Sequence, residues 1–215
     1  MNLSDIILFQ DMKPDEITQL LSCLNTYEKS YKKGDIILSE GTITEHIGII
    51  LSGSAIISFN DIWGNTSILG NISEGSVFAE VYAYIPDQPM LVNVSAIELT
   101  TVLFMNVGHA LKTCSKACPH HTKLIQNLLN VCAYKTLHLS QRMQHISSKS
   151  IRGRLMSYFS ECAKQSGTNA FTIPFNRQQL ADYLNVDRST MCNELSKMQK
   201  DGIIAYEKNQ IQIIN

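Results

Sequence analysis

The chain has 215 residues, of which 44% are hydrophobic and 17% charged, and its formal net charge is −1. This composition is that of an ordinary globular protein and argues against a disordered chain, while the length favours two domains. The N-terminus has no basic segment followed by an apolar run, and nowhere do about 18 apolar residues follow one another, so we expect a cytoplasmic protein with no membrane span. The six cysteines are scattered along the chain, which predicts reduced thiols.

The two ends of the chain differ in charge. Residues 1–141 carry a net charge of −5 and residues 142–215 a net charge of +4. A basic end suggests an anionic polymer as partner, because phosphate contacts supply most of the non-specific affinity of proteins for nucleic acids. Arg152 and Arg154 lie near the start of the basic part, and we predict that they contact phosphate.

The first predicted element is a short helix from Pro14 to Leu24, where a proline and two acids precede apolar residues at helical spacing. From Tyr27 to Met105 short β-branched runs are separated by glycines, which predicts a compact antiparallel roll. Gly53 lies in a predicted tight turn between two apolar strands. The predicted strands cover residues 35–38, 47–51, 55–59, 67–69, 92–96 and 100–104.

A long helix with Pro119 at its start is predicted, because glycines are absent between Gly108 and Gly153 and apolar residues recur at helical spacing. A helix with so wide an apolar stripe is either buried in its own domain or paired with a second copy of itself. We favour the homodimer, since closed two-fold dimers are the commonest oligomers. The stripe contains Leu124, Leu128, Val131, Leu137, Leu139, Met143 and Ile146, and is widened by Ile125, Leu129 and Cys132.

Two short capped helices are predicted near the C-terminus. Asn176 and Gln179 form a capping-box pattern at the start of the first helix, and Asp187 caps the second. Asn185 occupies the turn between them, where a left-handed backbone tolerates asparagine. The predicted buried residues are Leu180, Ala181 and Leu184 on the first helix and Met191, Leu195 and Met198 on the second.

The outer side of the second helix is predicted to read DNA. Residues 202–214 look like two strands joined by a turn at Lys208 and Asn209, so the whole segment is a winged helix-turn-helix. Arg188 has the chemistry to bind guanine, or alternatively phosphate, and Asn193 has the chemistry to bind adenine. The predicted DNA-binding residues are Arg177, Arg188, Ser189, Thr190, Cys192, Asn193 and Ser196, together with Arg152 and Arg154.

These elements predict an α+β protein in three parts. Residues 1–120 form an antiparallel β-roll of the jelly-roll type, and residues 121–147 form a dimerisation helix and hinge. The boundary of the third part falls within the polar stretch of residues 147–150, and this part is the winged helix-turn-helix of residues 148–215.

The sequence resembles the Crp/Fnr (cyclic AMP receptor protein/fumarate-nitrate regulator) family over nearly its full length. Residues 33–53 are similar to the opening of the family's cyclic-nucleotide-binding roll, and residues 75–80 with residues 94–104 to its phosphate-binding cassette. Residues 179–202 are similar to its DNA-reading module. The resemblance implies a DNA-binding transcription regulator that forms a homodimer, recognises inverted-repeat operators, contacts RNA polymerase as an activator, and is not an enzyme.

The cassette departs from the family at the positions that hold a cyclic nucleotide. Nucleotide-binding members have a glycine before the cassette Glu and an Arg-Ser pair about ten residues later, whereas this chain has Ala79, Met90 and Leu91 there and retains Glu80. A buried phosphate without its cation would cost several kcal/mol, so we predict a small-molecule effector other than cyclic AMP, bound near these four residues. Family members also carry Glu and Arg where Ser189 and Asn193 stand, which predicts a different half-site.

Four alternatives remain. Cys114 and Cys118 with His120 and His121 would suit a redox- or metal-responsive regulator, although two small cysteines packed at a helix junction explain them as well. A β-roll enzyme of the cupin type needs clustered histidines, and the roll contains His46 alone; a haem site would also depend on that residue. An iron-sulfur cluster needs several cysteines near the N-terminus, where Cys23 stands alone, and we assign no cofactor.

Overall fold

The computed structural model describes residues 2–60, 62–63, 66–106, 108 and 119–214. They divide into two compact units, Met1–Ala133 and Tyr134–Asn215. Across these ranges, no helix combines the length and the apolar character that a membrane crossing requires. The unit limits fall inside the long helix, so the sequence-based domain limits at residues 120 and 147 stay predictions.

The described residues of the first unit form eight strands in two antiparallel sheets, which confirms the predicted β-roll. The orders are β1-β8-β3-β6 and β2-β7-β4-β5. The predicted helix near residue 14 is present as α1, and the long helix begins at Pro119 as expected. The strands are β1 (Tyr27–Tyr31), β2 (Ile36–Leu38), β3 (His46–Ser52), β4 (Ser54–Asn60), β5 (Thr66–Ser73), β6 (Val77–Phe78), β7 (Asn93–Ala96) and β8 (Thr100–Asn106), and the helices are α1 (Pro14–Cys23), α2 (Glu80–Tyr84) and α3 (Pro119–Ile146), after 3-10 turns at Leu3–Asp5 and Ile7–Phe9.

The two sheets enclose an apolar interior. Successive strand residues point to opposite sides of a sheet, so neighbours on β3 and on β8 fall into different cores: Ile50 and Val102 face the interior and Ile49 and Leu103 the other side. Gly48 has no side chain because the ring of Phe78 fills its place: a Cβ there would lie 2.2 Å from that ring. The buried interior residues are Tyr31, Ile37, Ile50, Ala55, Phe78, Met90, Val94, Ala96, Val102 and Phe104.

A second core lies on the outer side of the first sheet and involves α3. Leu124, Leu128 and Val131 pack there with residues of α1 and of the 3-10 turns. The Asn127 amide donates to the carbonyls of Leu8 and Gln10, each at 3.0 Å. The first half of the apolar stripe therefore serves the helix's own unit, and the sequence-based assignment of the whole stripe to self-pairing was wrong for these residues.

The second unit contains three further helices and a three-stranded sheet. Ser150 caps α4 as predicted, its hydroxyl accepting from the backbone of Gly153 at 3.0 Å. The predicted wing is present, with Lys208 at a positive φ of 50° in its turn. The elements are α4 (Ile151–Ser166), β9 (Ala170–Thr172), α5 (Arg177–Leu184), α6 (Arg188–Lys200), β10 (Ile204–Glu207) and β11 (Gln210–Ile213), with the strand order β10-β11-β9.

Candidate nucleic-acid interface

Helices α5 and α6 form the predicted helix-turn-helix. The Asn176 side chain accepts from the backbone of Gln179, and the Gln179 side chain accepts from the backbone of Asn176, each at 2.9 Å. Asn185 is left-handed, with φ 52° and ψ 57°. All six residues predicted to be buried are buried in one core: Leu180, Ala181, Leu184, Met191, Leu195 and Met198.

Two arginines hold the turn between the helices. The last carbonyls of a helix lack partners within the helix, and here Arg142 donates to the carbonyls of Asp182 and Tyr183, both at 2.9 Å. Arg154 donates to the carbonyls of Leu184 and Asn185, at 3.0 and 2.8 Å. Arg154 also reaches the carbonyl of Ser148 at 2.9 Å. These charge-assisted bonds fix the angle at which α6 leaves the turn.

The first turn of α6 is organised around the carboxylate of Asp187. It accepts from the Ser189 hydroxyl at 2.6 Å and from the backbone and hydroxyl of Thr190 at 2.8 and 2.7 Å. These hydrogen bonds, that of Ser189 first, lower the pKa of Asp187 to about 2. Ser189 and Thr190 are exposed DNA-binding candidates, but both hydroxyls also serve this cap.

The outer face of α6 presents Arg188 and Asn193. Both side chains are exposed, and neither forms a side-chain hydrogen bond or ion pair with any residue that the structure describes. Cys192, between them on the helix, is half-buried. Ser196 is exposed and donates to the carbonyl of Cys192 at 3.1 Å. The two side chains with the greatest capacity to bind base edges are therefore the two with no internal partner.

Arg152 and Arg154, predicted to contact phosphate, have internal partners in this structure. The Arg152 guanidinium pairs with Glu194 at 2.5 Å and with Asp201 at 2.8 Å, so it links α4 to the middle and the end of α6. Arg154 holds the turn, as described above. Sequence reasoning missed this role because Glu194 lies 42 residues from Arg152 along the chain, and no local pattern reveals such a pairing.

Arg177 connects the start of α5 with the wing. Its guanidinium lies 4.9 Å from the ring centroid of Tyr206 and donates to the carbonyl of Lys208 at 2.7 Å. The Tyr206 hydroxyl lies 3.4 Å from the hydroxyl of Ser196 on α6. Arg177 of α5 and Ser196 of α6 thus both contact Tyr206 of the wing.

The residues predicted to form an effector pocket do not share one environment. Met90 is 1% exposed and belongs to the apolar interior of the roll, whereas Leu91 is 63% exposed. The backbone of Met90 is fixed by bonds with Gly41 and Thr42, each at 2.8 Å. Ala79 has a left-handed backbone, with φ 63°, and Glu80 is buried at the start of α2. The four residues therefore differ in exposure, and Met90 places an apolar side chain in the interior of the roll.

The cysteine-histidine cluster can be followed in part. Cys114 and Cys118 lie outside the described residues. His120 lies 3.7 Å from a carboxylate oxygen of Glu16, and His121 is buried with neither ring nitrogen hydrogen-bonded to any described residue. Among the described residues, His, Cys, Asp and Glu side chains form no group of three or more that would suit a metal ion.

Comparisons with known families agree with this architecture. The sequence model of the cyclic nucleotide-binding domain matches residues 28–117, and that of the Crp-like helix-turn-helix domain matches residues 153–215. Together the two matches cover more than half of the chain. No curated protein matches the chain by sequence.

Solved structures show the same fold at low sequence identity. The catabolite activator protein of Thermus thermophilus is 18% identical over 96% of this chain and 93% of its own, with a TM-score of 0.56. The c-di-GMP-responsive global regulator CLP of Xanthomonas campestris is 14% identical over 94% of this chain and 100% of its own, with a TM-score of 0.63. A CooA mutant from Carboxydothermus hydrogenoformans is 16% identical over 100% and 92%, with a TM-score of 0.55.

A cyclic-nucleotide-binding-type roll, a long helix and a Crp-like helix-turn-helix in this order define a DNA-binding transcription regulator. The chain belongs to the Crp/Fnr family, whose members are regulators and not enzymes. The family assignment excludes the alternative of a cupin-type enzyme.

Proposed function

We propose that this chain is a ligand-responsive regulator that binds inverted-repeat operator DNA as a homodimer. The observation that carries the proposal is the division of α6 into a fully buried inner face and an outer face on which Arg188 and Asn193 have no partner within the described part of the chain. A helix held in this way by its neighbour and open on its outer side has the geometry to enter a major groove.

The proposed readout assigns each candidate a role. Arg188 forms two hydrogen bonds to guanine, or one contact to phosphate, and Asn193 pairs with adenine. Ser189, Thr190 and Ser196 add hydroxyl contacts at the edge of the same face, and half-buried Cys192 allows the helix to approach the bases closely. Arg152, Arg154 and Arg177 act through their internal contacts, which orient α6 and the wing, and this role supersedes direct phosphate contact for Arg152 and Arg154.

The proposed dimer contact is a seam on α3 distinct from the face that packs in the first unit. Leu129, Leu139 and Met143 are 68%, 61% and 67% exposed. Leu129, Thr136 and Met143 recur every seven residues, and Cys132 and Leu139 lie between them, which is the a/d spacing of a coiled coil. An apolar seam of this kind is unfavourable in water and is covered when two copies pair.

The proposed effector is a small molecule that binds in the roll, near Ala79, Glu80, Met90 and Leu91. Met90 occupies the interior where nucleotide-binding members of the family place a cation, so a ligand other than cyclic AMP is favoured. Its binding would change how the paired α3 helices hold the two reading heads, by which we mean the helix-turn-helix and wing of residues 176–214 in each copy. RNA polymerase is the further partner proposed, with activation as the output, and the place of action is the cytoplasm, because operator DNA lies there in bacteria.

Selection of bound DNA from a random pool tests this function. Two-fold symmetry predicts enriched inverted repeats whose half-site centres lie about 34 Å apart. Leu139→Glu, which places a charge in the seam, should give a monomer by sedimentation velocity and lose operator affinity. Leu137→Glu is the matched control, because Leu137 is 53% exposed but lies outside the a/d positions. Enriched sites without dyad symmetry, or a Leu139→Glu dimer, would contradict the proposal.

A further inference from the structure

A cavity of about 440 Å³ lies within the second unit, away from the outer face of α6. The last turns of α3, the outer side of α4, the segment around β9 and the end of α5 surround it, and all its lining residues belong to this unit. Small-molecule sites in proteins have this size range and combine apolar walls with a few polar groups.

Aromatic rings form one wall of the cavity. The rings of Tyr158, Phe175 and Tyr183 are in mutual contact, with centroids 5.0 to 6.0 Å apart. The ring of His145 meets Tyr158 nearly at a right angle, with 5.6 Å between centroids. Interlocked rings of this kind are rigid, so the wall is formed before any ligand arrives.

The charge of the cavity is negative. Among the lining residues, all of which the structure describes, Glu161 is the one carboxylate and neither Lys nor Arg occurs. Gln165 holds Glu161 in place by donating to one carboxylate oxygen at 3.0 Å. Burial lowers the pKa of His145, against the opposing effect of Glu161, so this imidazole is neutral near pH 7 and does not offset the carboxylate.

We propose that this cavity binds an organic cation with a flat apolar body, of the arylalkylamine class. The ammonium group pairs with Glu161, and the apolar body lies against the rings of Tyr158 and Tyr183. Aromatic faces attract cations, and the attraction grows when water is excluded from the contact. A carboxylate beside an aromatic wall selects such a ligand over a neutral or anionic one of the same shape.

The position of the cavity allows a bound ligand to affect the reading head. Tyr183 lies on α5, and its carbonyl accepts from Arg142 of α3 at 2.9 Å, while the Arg142 guanidinium lies 5.6 Å from the Tyr183 ring centroid. His145 of α3 is also linked to Ser157 of α4 at 3.0 Å. A ligand between these side chains changes the contact between α3 and α5, a consequence that rests on the proposed DNA-binding function, whereas the binding itself does not.

The test titrates the full chain with 2-phenylethylamine and with 3-phenylpropionate, a probe of similar shape and opposite charge, and follows binding by calorimetry and by NMR shifts of tyrosine ring protons. We expect saturable binding of the amine at least ten times tighter than that of the acid. Glu161→Gln should remove this preference. Glu207→Gln is the matched control, because Glu207 is exposed on the wing and outside the cavity.

Equal affinities for the two probes, or an amine preference that survives in Glu161→Gln, would overturn the proposed site. Tyr183→Phe, which keeps the ring and removes the hydroxyl, should retain amine binding, and its loss there would also speak against an aromatic wall as the binding surface. The regulatory consequence is read from operator affinity with and without the amine. Failure to bind any DNA would contradict the proposed function and leave amine binding unaffected, so the two failures are distinguishable.

Discussion

The two units of this protein use their polar groups in opposite ways. In the roll, Met90 is buried among apolar residues of the interior. In the C-terminal unit, Arg142, Arg152, Arg154 and Arg177 all form internal hydrogen bonds or ion pairs, while Arg188 is left open on the outer face. The interior of the roll is therefore apolar at Met90, whereas the C-terminal unit uses these four arginines as structural connections.

The largest expected effect tests the apolar interior of the roll. Met90→Arg places a cation in the apolar interior of the roll, and we expect a loss of about 3–5 kcal/mol in the free energy of unfolding, the usual cost of a poorly compensated buried charge. Leu91→Arg is the control at the neighbouring position, which is exposed, and should change stability by less than about 0.5 kcal/mol. Urea unfolding measures both, and equal stability of the two variants would refute the contrast between the units.

The next largest effect is expected for substitutions on the outer face of α6. Arg188→Ala and Asn193→Ala should each weaken binding to the selected operator by about 1–3 kcal/mol and reduce discrimination between bases at one position of each half-site. Stability should stay unchanged, because neither side chain has an internal partner among the described residues. Gel-shift titration with single-base variants measures this, with Gln199→Ala at the far end of α6 as control. Loss of affinity without loss of discrimination would indicate phosphate contacts instead.

A third variant separates a structural arginine from a phosphate-binding one. Arg154→Ala removes three hydrogen bonds to carbonyls, and we expect a loss of about 1–3 kcal/mol in stability, as for hydrogen bonds of charged groups. DNA affinity should fall while its dependence on salt keeps the same slope. A phosphate contact would instead lower that slope by about 1. Lys164→Ala, exposed at the end of α4, is the stability control.

The smallest effect is expected for the left-handed backbone of Ala79 in the roll. Ala79 adopts φ 63°, a conformation that glycine reaches without steric cost. Ala79→Gly should therefore stabilise the protein by about 0.5–1 kcal/mol, seen as a rise of roughly 2 °C in Tm. Ala83→Gly, inside α2, should destabilise it by a similar amount because the helical conformation favours alanine. A loss of stability in Ala79→Gly would mean that the Ala79 methyl group contributes more by packing than its backbone costs.

Local patterns predicted the reading head well because its signals lie close together in sequence. The capping box at Asn176 and Gln179, the left-handed turn at Asn185 and the cap at Asp187 each depend on residues within a few positions. The sequence-based prediction of the roll was less complete. The strand β1 has the polar sequence of Tyr27–Tyr31 and was missed, since its partner β8 lies more than 60 residues away, and the short elements β6 and α2 gave no periodic signal.

The sequence by itself determined the order of the main elements and the buried stripes of the two reading helices, because spacing and residue chemistry are local properties. The tertiary structure decided which arginines stay open for DNA, since their partners are far apart along the chain. It also decided how the apolar residues of α3 are divided, with Leu124, Leu128 and Val131 assigned to the core of their own unit and Leu129, Leu139 and Met143 left exposed. A helical period marks apolar positions, but which of them are covered depends on what the rest of the chain places beside them.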